Sequence, residues 1–125
     1  VLDTVAGWVG EGPVLVHCAY GKDRAGLVTA LIQAAIGVTP EAIAADYARS
    51  HEPSVRRRQW VLAEPLLDDP PTATLPPMLF TAHEMVMTAL LSRAADRHGS
   101  LVAWAAEFAP DDATADRLRA ALIEA

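Results

Sequence analysis

His17-Cys18-Ala19-Tyr20-Gly21-Lys22-Asp23-Arg24-Ala25-Gly26 concentrates more reactive chemistry than any other stretch of this chain. It holds the only cysteine and the only lysine, with an arginine six residues after the cysteine. An apolar run precedes it and a helical pattern follows. A strand running through a loop into a helix brings that helix's N-terminus to the loop. Several backbone N–H groups there lack intrahelical partners and point at one spot. With the helix dipole they favour an anion. Gly21 and Gly26 permit the tight curl and close backbone approach. Cys18 sits at the start of this cradle, where the same field should bring its pKa below the free value of about 8.5. Arg24 can reach back over the loop and clamp two phosphate oxygens with its planar fork, which a lysine would do less well.

Those positions predict a phosphomonoester hydrolase. Cys18 thiolate attacks phosphorus in line and forms a phosphocysteine. Arg24 and the amides of the phosphate-binding stretch Ala19, Tyr20, Gly21, Lys22, Asp23 and Arg24 stabilise the equatorial oxygens. An acid protonates the leaving oxygen, and water then hydrolyses the thiophosphate. The scheme calls for no metal and no cofactor. The segment is not a Walker A loop, which needs Ser or Thr after Gly-Lys; here Asp23 follows Lys22. A lone cysteine after a strand is ordinarily core, but Gly21, Arg24 and Gly26 at these spacings weigh against that reading.

The elements that must position the loop can be read from periodicity. Residues 2 to 10 form the end of a helix with Leu2, Val5, Ala6 and Val9 on one face. Gly10, Gly12 and Pro13 break it. Val14-Leu15-Val16 predicts a short, fully buried strand. Residues 25 to 36 predict a helix that is apolar nearly all round, hence buried on most faces, with Gly37 as its stop. Thr39-Pro40-Glu41 starts another, running to about Ser50. A further helix follows Ser54. Residues 65 to 77 hold five prolines and predict a loop. Thr81 with Glu84 predicts a capping box for a helix ending near His98, with Gly99 as its stop. Two short helices fit 100 to 109 and 111 to 124.

About six helices stand against one strand, and a buried strand cannot satisfy its ladder alone. The expectation is therefore a single, incomplete domain over residues 1–125, the C-terminal part of a longer α/β domain. A strand, phosphate-binding loop and helix precede a helical bundle, and most of the sheet, with the N-terminal half, lies outside this chain. The weaker alternative is an all-helical protein with Val14 to Val16 as loop.

Composition narrows the function classes. The chain is 52% hydrophobic, much of it alanine, and no apolar run approaches the roughly 20 residues of a membrane helix. A net charge of −6 argues against a general nucleic-acid binder. One cysteine excludes an intrachain disulfide framework. Nine arginines against one lysine fit a GC-rich bacterial coding sequence. Residues 1 to 16 show no signal peptide, and the expectation for location is bacterial, cytoplasmic or secreted.

The motif His-Cys-x-x-Gly-Lys-Asp-Arg-x-Gly resembles the signature of a bacterial family of tyrosine and dual-specificity phosphatases, several of which also act on phosphoinositides. Gly26-Leu27-Val28 through Gly37-Val38, and Ile43-Ala44-Ala45-Asp46-Tyr47, resemble the helices that follow in that family. His98-Gly99-Ser100-Leu101 resembles its late Tyr-Gly-Ser segment. The resemblance implies a phosphotyrosine-phosphatase-like fold and a phosphorylated protein or phosphoinositide as substrate. It implies Cys18 as nucleophile, Arg24 as phosphate clamp and Asp23 as general acid. Lys22 matches a lysine linked to acidic or phosphoinositide substrates, and His17 orients the loop and tunes Cys18. One departure stands out. The family usually has Ser or Thr after the arginine, and this chain has Ala25, which implies slower breakdown of the phosphoenzyme.

Other features have blander readings. Asp23 could simply complement the helix dipole. His51-Glu52 and His83-Glu84 look like metal-site fragments, yet neither has a second histidine four residues after the first; surface or capping positions are expected. Arg56-Arg57-Arg58 is expected to be a solvated helix face, against an anionic-ligand contact. Met78, Met85 and Met87 with Leu79 and Phe80 suit core packing better than a lid over the site. Two functional alternatives remain: a non-catalytic phosphate-binding module, and a rhodanese-type sulfurtransferase, which the Lys-Asp-Arg run disfavours.

Overall fold

A computed structural model describes residues 1–64, 70–109 and 111–123, with side chains at all of these except 70, 71 and 112. The helices are α1 (Leu2–Trp8), α2 (Asp23–Ala35), α3 (Pro40–Ala48), α4 (His51–Ala63), α5 (Pro70–Thr74), α6 (Glu84–His98), α7 (Leu101–Ala106) and α8 (Asp112–Leu122). A 3-10 turn occupies Pro77–Phe80. No strand occurs among the described residues.

The helix boundaries follow from local chemistry. Thr39 Oγ1 accepts the Ala42 N–H ahead of α3, Ser100 Oγ accepts that of Ala103 ahead of α7, and Asp111 Oδ1 accepts that of Thr114 ahead of α8. Gly37 and Gly99 end α2 and α6 at φ of 87° and 83°, a backbone region that costs a glycine nothing.

α2 is the hub. It packs against α1, α3, α7 and α8, while α6 lies on α3 and α7, and α8 covers α1. The buried cluster includes Leu2, Leu31, Ile43, Leu91, Trp104 and Leu118, filled in by alanines at 30, 34, 35, 44, 94 and 105. Alanine at so many facing positions lets helix backbones approach closely, which accounts for the hydrophobic content without any membrane segment. No described helix is long and apolar enough to cross a membrane. Two polar ties cross the bundle: Gln33 Nε2 donates to Asp46 Oδ2 at 3.0 Å between α2 and α3, and Arg117 pairs with Asp3 at 2.8 Å between α8 and α1. α4 forms a second layer with α5 and the 3-10 turn.

Several expectations need correction. Val14 to Val16 has no regular secondary structure and pairs with no described segment, and Leu15 is 84% exposed. A strand needs a neighbour's backbone to complete its hydrogen bonds, and no described residues supply one. The α/β expectation is thus met only in its helical portion. α2 is less enclosed than its sequence suggests, with Leu27 exposed. α4 starts at His51 rather than after Ser54; Pro53 falls in its first turn, where a missing N–H costs no helical bond. The proline-rich stretch is not all loop, since 70–74 are helical; residues 65–69 lie outside the described residues. The capping box is absent. His83 is the N-cap of α6 with no side-chain bond, and Thr81 Oγ1 donates to the Met78 carbonyl at 2.6 Å instead.

Leu91, 2% exposed, anchors α6 in the core. Leu91→Ala should cost about 2–5 kcal/mol, seen as an earlier midpoint in urea unfolding; an unchanged midpoint would contradict this packing.

Candidate active site at the Cys18 loop

Residues 19 to 22 bend between the irregular segment that precedes them and α2, with Gly21 at φ 72°, a conformation open to glycine at little cost. The bend turns the first amides of α2 back toward Cys18. The half-buried sulfur is pushed up in pKa by its burial, but backbone N–H groups of Ala25, Gly21, Tyr20 and Arg24 are directed at it. Together these outweigh the burial and hold the thiol below its ordinary value. Hydrogen bonds from four amides favour the anion, and any oxyanion docked there would meet the same donors.

The charged residues of the loop divide between core and solvent. Lys22 is 5% exposed, and its Nζ lies 2.5 Å from Asp23 Oδ1. Asp23 is largely exposed, and Arg24 and His17 are exposed at the rim. Tyr47 of α3 packs beside this group. Burial pushes its phenol up; Lys22 pulls it back and Asp23 adds to the rise, so the net shift is upward and the hydroxyl keeps its proton. Gly26 suits that packing, because a Cβ there would come within 3.0 and 3.1 Å of the Tyr47 ring carbons and the ring would have to give by a few tenths of an ångström.

A cavity of about 720 Å³ adjoins the loop. Its lining includes Tyr20, Lys22 and Asp23 of the loop and α2, Tyr47 of α3, Val86 of α6, and the apolar Leu75, Met78, Leu79 and Phe80. Neither Cys18 nor Arg24 lines it, so the cavity lies beside the sulfur rather than over it.

The second layer reaches this cavity in a way the sequence reading missed. Arg56 pairs with Glu52, but the Arg57 guanidinium lies 5.1 Å from the Tyr20 ring centroid and that of Arg58 lies 5.2 Å from Phe80. The arginine run is therefore only partly a solvated face: two of its members pack on aromatic rings at the site. Phe80 and Met87 are buried as core, while Met78, Leu79 and Met85 are exposed. His51 and His83 stack with centroids 4.7 Å apart, and His51 Nδ1 accepts the Ala82 N–H at 3.3 Å. Among the described residues no three metal-ligating side chains gather. The tilted contact of His51 with His83 had no sequence signal, since 32 residues separate them.

Two outcomes check this geometry. Cys18 should titrate at a lower pH in the folded chain than in the same chain unfolded by urea, because the amides stabilise the deprotonated form; iodoacetamide alkylation across pH reads it, and equal midpoints would contradict it. Gly26→Ala should destabilise by about 1–3 kcal/mol through the displaced Tyr47 ring, measured by thermal unfolding.

Comparison with known proteins gives the family. The model of a family described as "Tyrosine phosphatase family" matches residues 1–124. Triple specificity protein phosphatase PtpB of Mycobacterium tuberculosis is 50% identical over 48 residues, which is 37% of this chain and 17% of that protein. A protein named as a putative tyrosine-protein phosphatase from Cupriavidus necator is 39% identical over 54 residues, 43% of this chain and 20% of the relative. The matched segments thus span a fifth or less of those relatives' own lengths. With the family match running over nearly its whole length, the chain belongs to the tyrosine phosphatase family.

Proposed function

We propose that this chain carries the reacting loop of a protein-tyrosine or dual-specificity phosphatase working through a phosphocysteine. The observation that carries the reading is the placement of Cys18 just before a bend, with Gly21 at φ 72°, that leads directly into the N-terminus of α2. A thiolate stabilised there is a nucleophile at neutral pH, and the amides that favour it can hold the oxygens of a transferring phosphoryl group.

In the proposed reaction Cys18 Sγ attacks phosphorus, the bond from phosphorus to the ester oxygen breaks, and the leaving oxygen takes a proton. Asp23 is the proposed donor, and it must exchange its Lys22 contact for the leaving oxygen. Arg24, free at the rim, closes over two phosphate oxygens as a bidentate clamp. Water then attacks the phosphocysteine, releasing inorganic phosphate and regenerating the thiolate. His17, next to the sulfur in sequence, has the supporting role of orienting the loop. The adjacent cavity suits the organic part of the substrate, with an apolar wall for an aromatic or aliphatic group and Lys22 on its near side. A phosphorylated protein is the first substrate class, and a phosphoinositide is the second.

A non-catalytic phosphate-binding module is the competing reading, favoured by Ala25. Its methyl offers no hydroxyl to the departing thiolate. A cavity of about 90 Å³ lined by Ala25, Gly21 and Gly26 leaves room for a larger side chain there.

Phosphate release from a phosphotyrosine peptide and from a phosphoinositide decides the matter. Cys18→Ser should lower release to background, and Arg24→Lys should lower kcat about 100-fold or more, as loss of one transition-state donor does. Release by Cys18→Ser equal to that of the unaltered chain would overturn the mechanism. Ala25→Thr should raise turnover if phosphoenzyme breakdown limits it. Tight phosphopeptide binding with no turnover in either form would favour the binding module.

A further inference from the structure

Tyr20 is one of the loop residues whose backbone N–H reaches the Cys18 sulfur, and its side chain is held at the opposite end by the second layer. Its hydroxyl lies 2.7 Å from Oγ1 of Thr72, a side chain only 2% exposed. Its ring meets that of Phe80 at a centroid distance of 5.1 Å and a tilt of 57°. The Arg57 guanidinium lies over the same ring. Three contacts from three elements, α5, the 3-10 turn and α4, thus converge on one loop side chain, and each is a favourable contact type in its own right.

We infer that Tyr20 is a positioning residue for Cys18: the clamp of Thr72, Phe80 and Arg57 fixes the Tyr20 side chain, and this holds the bend at residues 19 to 22 in the shape that presents its amides to the sulfur. The bend has little else to stiffen it. Gly21 is the most conformationally free residue type, and the Lys22 N-cap makes no side-chain capping bond. The irregular segment before it, residues 13 to 18, pairs with no described strand. A side chain anchored outside the loop supplies the restraint that the loop lacks. The aromatic handle suits this, because a ring with two rotatable bonds loses little entropy when fixed. The inference leans on the phosphatase reading only in calling the sulfur a nucleophile.

The test reads the sulfur and not turnover, so it stands apart from whether the chain hydrolyses a phosphoester. Cys18 is the only thiol, so the ultraviolet absorbance of thiolate reports on it alone over the pH range below phenol ionisation. Titration would compare the unaltered chain with Tyr20→Phe, Tyr20→Leu and Tyr20→Ala, with helical content followed by circular dichroism. None of these changes the charge of His17, Lys22, Asp23, Arg24 or Arg57. Tyr20→Ala and Tyr20→Leu should lower the acid ionisation constant of Cys18 at least about threefold, half a pH unit. Tyr20→Phe keeps the ring contacts and should return the constant to within about twofold of the original. Should Tyr20→Ala fail to fold, Tyr20→Leu, which fills much of the same space, decides. An unchanged constant in a folded Tyr20→Ala or Tyr20→Leu protein would overturn the inference.

Discussion

The placement of Cys18 at a bend that leads into the N-terminal amides of α2 is the constraint on which the rest of the structure turns. Backbone donors have no rotamers to choose; their direction is set by where the helix begins and how the chain enters it. The site is therefore only as well defined as the placement of α2. That helix is the hub of the bundle, wedged between α1, α3, α7 and α8, and its alanine-rich core faces leave little freedom to shift. Stability and chemistry meet in the same element. The buried face of α2 fixes the axis, and its free N-terminal amides act at the end of that axis.

Around this fixed end the chain supplies a more adaptable layer. Lys22 and Asp23 form a pair at the cavity, Tyr47 lines it beside them, and residues of α5 and the 3-10 turn contribute to its lining, with α4 packed behind those two elements. Arginine and aromatic side chains join this layer to the loop instead of a continuous hydrophobic core. Planar guanidinium groups over rings tolerate some sliding while keeping partners matched. The division of labour is physical: a rigid bundle sets the amide geometry, and a polar and aromatic second layer shapes the space beside it.

The sequence disclosed the loop and the bundle unevenly, for identifiable reasons. Local signals carried well. Thr39, Ser100, Gly37 and Gly99 mark helix ends through their own backbone chemistry, and the structure places them there. The His17 to Gly26 stretch stood out because it gathers reactive residue types at short spacing. Non-local features were hidden. Thr81 and Glu84 matched a capping pattern, but the 3-10 turn drew the Thr81 hydroxyl back to Met78. Arg57 and Arg58 looked like solvated charges because no periodicity reveals that Tyr20 and Phe80 fold beneath them. The Val14 to Val16 run has the composition of a buried strand, yet burial depends on neighbours that no described residue provides.

The central claim is that Cys18 forms the covalent intermediate. Rapid acid quenching during reaction with a phosphotyrosine peptide, followed by mass spectrometry of the peptide carrying the only cysteine, tests it directly. The account predicts a phosphate adduct on Cys18 that appears with substrate and is absent from Cys18→Ser. Substrate consumed at full rate with no adduct on Cys18, or with the phosphate on another residue, would contradict it.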